Sequence, residues 1–129
     1  MRGREPRHLV LEALYEAELR EVKDPAAGLR GRARRYVEGV SARLADLDHR
    51  IEAVSRGWPV RRMAVVDRSI LRLALYELLY EPTPTAVVID EAVEMAKRYS
   101  TKGSGAFVNG ILATLAGQVR AGDTRPDRV

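Results

Sequence analysis

An all-α chain in two helical halves is what this sequence predicts, and three observations carry that reading. Residues 65–77, Val-Val-Asp-Arg-Ser-Ile-Leu-Arg-Leu-Ala-Leu-Tyr-Glu, form a helical pattern that is apolar over more than half its circumference. The exceptions are Asp67, Arg68, Ser69, Arg72 and Glu77. Upstream, Val37, Val40, Leu44, Leu47, Ile51, Val54 and Trp58 recur in alternating steps of three and four, the narrow seam that two-helix packing uses. The β-branched run in 83–89 is the only strand-like stretch, and it lies at a helix start behind Pro82 and Pro84.

The first helix is expected from about Pro6, tolerated in a first turn, to about Val22. Its inward stripe reads Leu9, Val10, Ala13, Leu14 and Ala17, and Asp24-Pro25 breaks it. A Gly- and Arg-rich connector at 25–32 leads into one long helix, about 33–56. Gly57-Trp58-Pro59 stops that helix, with Trp58 as a large aromatic anchor. The next helix covers about 60–80 and ends at Pro82-Thr-Pro84. A helix over about 85–99 follows, with Val88, Ile89, Ala92, Val93 and Ala96 inward. Residues 100–105 read as a loop, 106–119 as the last helix, and 120–129 as a disordered tail. The chain is thus expected to be one domain, 1–129, with an N-terminal half at about 6–57 and a C-terminal half at 60–119 sharing one core.

Composition excludes several function classes. The 129 residues contain no cysteine, which removes disulfides, thiolate metal sites and thiol redox chemistry. No apolar run exceeds four residues, too short for a membrane span, and no apolar stretch follows the basic N-terminus as a signal peptide requires. A soluble intracellular protein is expected. Of the 22 cationic residues 19 are arginine, whose planar fork suits phosphates and base edges. One asparagine and one glutamine in the whole chain fit a high-temperature bias equally well.

Four groups of residues could bind something. Arg2, Arg4 and Arg7 make a basic arm able to release counterions from a phosphate backbone, or a simply solvated N-terminus. Arg7 and Tyr15, eight residues apart, read as sharing a helix face. Lys102-Gly-Ser-Gly105 precedes the last helix, where Ser104 can cap, Lys102 can meet a phosphate and Phe107 can stack an unpaired base; the alternative is an ordinary capped helix with a core phenylalanine. Asp67 reads as a surface carboxylate beside an apolar patch, suited to a partner interface or to a local pair with Arg62 or Arg68. Asn109, inside a helix, reads as a buried hydrogen bond between helices. Asp90, Glu91, Glu94 and Arg98 form a solvated face, and His8 and His49 have no ligand spacing, so no catalytic or metal site is expected.

The Arg7–Tyr15 spacing, the 65–77 string, Ile89-Asp-Glu-Ala-Val-Glu-Met-Ala-Lys97 and Phe107-Val-Asn-Gly-Ile-Leu112, in that order along the chain, resemble the NusB transcription antitermination family. The resemblance covers about residues 4–119. It implies two packed helical bundles without enzymatic activity or cofactor, in a cytoplasmic protein. Family function implies binding of boxA-type RNA from ribosomal RNA operon transcripts together with the small ribosomal protein NusE, in a complex that helps RNA polymerase read through terminators. RNA contacts are implied at Arg4, Arg7, Tyr15, Lys102, Ser104 and Phe107, and an acidic partner contact at Asp67. Two departures stand out. The connector is short, so the first bundle is expected to be two long helices and a turn, and the arginine arm is interrupted by Glu5 and Pro6. Two other classes fit the pattern less well. One is the N-terminal RNA-binding domain of a ribosomal RNA cytosine methyltransferase, a reading that needs this sequence to be a piece of a longer one. The other is a helical DNA-binding regulator, for which the last two helices offer no recognition face.

Overall fold

A computed structural model describes residues 5–120, and side chains from Arg7 onward. Six α-helices are described: α1 Glu5–Arg20, α2 Gly31–Ser41, α3 Leu44–Val54, α4 Val65–Tyr80, α5 Thr85–Tyr99 and α6 Ser104–Val119. A 3₁₀ turn at Val60–Arg62 precedes α4, and no strand occurs among the described residues. None of these helices is long and apolar enough to cross a membrane. Arg4 and the 121–129 segment lie outside the described residues.

α4 is the axis of the molecule. A helix that is apolar nearly all round must be buried on all sides, and α4 buries Asp67 and every residue from Ser69 to Leu78. The other five helices all pack against it. Its polar exceptions are taken up by neighbours: Asp67 by Ser100 and Ser104, Arg68 by Glu18, Arg72 by Asp48 and Glu18, and Glu77 by Arg7. Ser69 alone among them leaves a buried hydroxyl without a partner.

The single long helix expected over 33–56 is two helices. Arg43 N–H bonds Val40 C=O at 3.0 Å, a tightened i→i−3 step, and the chain re-enters a helix at Leu44. The break has a packing cause. At Gly39, α2 approaches α4 so closely that a Cβ would collide with the Tyr76 ring, whereas α3 must lie against both α4 and α6. One straight helix cannot meet both demands. The turn keeps Val37, Val40, Leu47 and Ile51 fully buried but swings Leu44 outward. Trp58 is 49% exposed, so it is not the expected anchor. The first half therefore holds three helices, not two with a turn.

The inward stripe of α1 is also rotated from the expected one: Leu9 is exposed, and Arg7, Val10, Leu11 and Leu14 are buried. Apolar residues on all sides of α1 blur its periodicity, and the buried charges decide the face. Arg120, placed in the tail by sequence, closes the C-terminal end of α4. Its guanidinium donates to Leu78 O at 2.9 Å, Glu81 O at 2.9 Å and Thr83 O at 2.7 Å, satisfying carbonyls that a helix end leaves open.

Candidate nucleic-acid interface

An open cleft of about 380 Å³ separates the 3₁₀–α4 junction from the α5–α6 loop. Trp58 and Arg62 line one side, Lys102 and Phe107 the other, with Asp67 and Ser104 at the base. Four of the residues singled out from sequence, Asp67, Lys102, Ser104 and Phe107, are thus brought together.

The base of the cleft is a hydroxyl–carboxylate network. Ser100 Oγ donates to Asp67 Oδ1 at 2.6 Å and Ser104 Oγ to Asp67 Oδ2 at 3.2 Å, while Thr101 and Ser104 hydroxyls lie 3.0 Å apart. Asp67 is 8% exposed, so it is a buried anchor for the loop, not the surface carboxylate expected, and it pairs with neither Arg62 nor Arg68. Its place in the first turn of α4 suits the positive end of the helix. Ser104 does not cap α6. Gly103 takes the cap position at φ +95, which glycine adopts without strain, and the Ser104 side chain turns inward. The loop thereby leaves Lys102 exposed at the rim. Phe107 is half-buried, packing on the core while it lines the cleft.

Arg7 and Tyr15 do not join this cleft and do not share a face. Eight residues turn a helix about 80° past two full turns, which buries Arg7 and leaves Tyr15 exposed. Arg7 Nε and Nη2 donate to Glu77 Oε2 and Oε1 at 2.9 and 2.7 Å, a bidentate pair inside the protein. Burial works against the Arg7 charge, but the hydrogen bonds and charge of Glu77 outweigh it and raise its pKa. Asn109 is exposed and makes no hydrogen bond between helices, contrary to the buried role expected from its helix position. Arg4 lies outside the described residues.

Sequence reading missed Trp58 and Arg62 as cleft residues. Trp58 sat at the end of an apolar repeat, which disguised it as core, and Arg62 was one of many arginines. The available signal was Pro59, which forces the chain out of the helix and leaves the tryptophan beside a turn.

Comparison with known proteins decides the family. A family model described as the NusB family matches residues 4–117. The chain belongs to the NusB family. Transcription antitermination protein NusB of Anaeromyxobacter sp. (strain Fw109-5) is 44% identical over 114 residues, covering 88% of this chain and 75% of that one. The NusB protein of Thermotoga maritima is 52% identical over 85 residues, covering 65% of this chain and 60% of its own length. A solved T. maritima NusB superposes with a TM-score of 0.83 at 41% identity, over 89% of this chain and 90% of that one. A NusB chain solved with NusE and dsRNA has the same fold, with a TM-score of 0.78 at 23% identity over 92% and 98% of the two chains. The NusB family is one of transcription antitermination factors, not of enzymes.

Proposed function

We propose that this NusB-family chain binds boxA-type single-stranded RNA of ribosomal RNA operon transcripts together with the small ribosomal protein NusE, and through that assembly acts on the RNA polymerase elongation complex in the cytoplasm. The observation that carries the reading is the cleft, in which two aromatic side chains, Trp58 and Phe107, stand beside Arg62 and Lys102. Neither cation has a side-chain partner among the described residues. Aromatic platforms beside free cations are the usual means of holding unpaired bases and their phosphates. A NusB chain of the same fold has been solved with NusE and dsRNA, which supports RNA and NusE as ligand and partner in general; the choice of single-stranded RNA rests on the cleft.

In this reading Phe107 stacks a base and Lys102 and Arg62 hold phosphates. Tyr15 and Arg4 extend the contact along α1 and the arm. Arg7 positions α1 instead of gripping phosphate, because its guanidinium is engaged by Glu77. Ser104 and Asp67 hold the loop that presents Lys102, and Asp67 serves the protein partner through that loop.

With only Arg62 and Lys102 as cations in the cleft, RNA binding there by this chain alone is weak, and a partner seated beside the cleft strengthens it. Linkage then requires NusE to tighten RNA binding by the same factor by which RNA tightens NusE binding. Paired titrations in one buffer, RNA with and without NusE and NusE with and without boxA-like RNA, test this. Equal factors above one are expected. Identical RNA affinity in both states overturns the shared assembly, and no RNA binding in either state overturns the function.

A further inference from the structure

We propose that α2 and the C-terminal end of α4 form a second single-stranded RNA contact, in which Arg30 and Arg32 hold phosphates and Tyr80 stacks a base. It rests on the RNA-binding reading above and adds a surface remote from the cleft. Asp67 and Tyr80 lie thirteen residues apart on α4, roughly 20 Å at the helical rise.

The charge pattern is the first support. Arg30 takes the N-cap position of α2, Arg32, Arg34 and Arg35 follow, and the helix has no acidic residue in its first turn and no side-chain cap. Cations at the positive end of a helix repel both the dipole and one another. Folding neutralises only part of this cluster. Arg34 pairs with Glu38 at 2.9 Å, and Arg35 donates to both Glu81 oxygens at 3.1 and 2.8 Å. The Tyr76 hydroxyl donates to the same carboxylate at 3.0 Å, so Glu81 is fully engaged. The Arg30 and Arg32 side chains remain exposed, with no hydrogen bond or ion pair among the described residues, and Arg32 acts on Glu81 only through its charge. A bound polyanion removes that repulsion.

The second support is aromatic and independent of charge count. Tyr80 is 47% exposed at the last residue of α4. Its ring is held in place: the Arg43 guanidinium lies 4.3 Å from the ring centroid, and Arg43 is itself fixed by a 3.0 Å bond to Gly39 O. The Tyr76 ring supports it at 5.5 Å between centroids. The Tyr80 hydroxyl bonds nothing among the described residues, so no internal hydrogen bond explains the position. A half-exposed ring held by Arg43 and Tyr76, next in sequence to the Glu81 that ties the start of α2 to α4, is a stacking platform with little ordering cost.

Fluorescence anisotropy tests this with two labelled probes, a boxA-like RNA and the same RNA extended by about ten unpaired nucleotides at each end. Arg30→Glu/Arg32→Glu is expected to weaken binding of the extended RNA on the order of tenfold and to leave the short RNA unchanged. Its log–log salt slope should fall by about 1.4, at ~0.7 for each of two phosphates on a single strand. Tyr80→Leu should lower the same affinity several-fold, with circular dichroism confirming the fold. Arg20→Glu/Arg50→Glu, which makes the same change in net charge on exposed faces of α1 and α3, is the control. Wild-type affinity in both test variants, or an equal loss in the control, overturns the second surface while the cleft stands. Wild-type protein that binds neither RNA overturns this proposal and the function together.

Discussion

The seam between α1, α3 and α4 and the rim of the cleft are both rich in cations, yet they use them differently. On the seam Arg7, Arg68 and Arg72 are buried or nearly so, each bonded to a carboxylate of another helix. At the rim Arg62 and Lys102 have no such partner, and the one nearby carboxylate, Asp67, is occupied by serine hydroxyls. An arginine-rich composition therefore mixes two populations. Arginines facing a carboxylate across a helix interface specify how the N-terminal half docks on α4. Those left without one are the cations a polyanion can reach.

Removing a seam arginine should produce the largest effect. Arg7→Ala leaves Glu77 buried and unpaired, which costs ~3–5 kcal/mol in such settings. Urea denaturation should show that loss, and the Arg7→Met/Glu77→Leu double variant should recover most of it. Near-wild-type stability of Arg7→Ala would erase the distinction between seam and rim.

A smaller effect should appear with pH. Burial pushes the Glu18 carboxyl up, but the Arg68 hydrogen bonds and the charges of Arg72 and Arg68 outweigh this and hold it below the ordinary 4.5. The unfolded chain therefore takes up the proton first as pH falls. Stability contributed by Glu18 is full above about 4.5 and disappears as pH drops through the lower folded value. Glu18→Gln should lose about 1–3 kcal/mol at pH 7 and show a flatter stability profile between pH ~5 and ~3, the range in which carboxylates titrate. An unchanged profile would mean that these ion pairs do not tie α1 to α4.

The C-terminal half was largely legible because α4 and α5 follow simple rules: an all-round apolar helix is central, and a stripe such as Val88, Ala92 and Ala96 faces inward. The N-terminal half was less so. Gly39 gives no sequence sign that it touches Tyr76, so the break at Ala42–Arg43 was hidden by an unbroken apolar repeat. Arg7 read as part of a mobile arm because its partner, Glu77, is seventy residues away. In the cleft, Lys102 and Phe107 could be found from the loop–helix junction alone. Trp58 and Arg62 could not, since only the fold brings them opposite that junction.

The central claim, that the cleft takes up RNA with its free cations and aromatic walls, has a built-in reporter. Trp58 is the only tryptophan in the chain and lines the cleft. Titration with unlabelled boxA-like RNA should change the Trp58 emission in step with binding measured by anisotropy. In Arg62→Ala/Lys102→Ala the midpoint should move to roughly tenfold higher RNA concentration, as expected for losing about two phosphate contacts, with unfolding stability within about 0.5 kcal/mol of wild type. RNA that binds fully while Trp58 emission stays constant, with the same affinity in the double variant, would contradict the account.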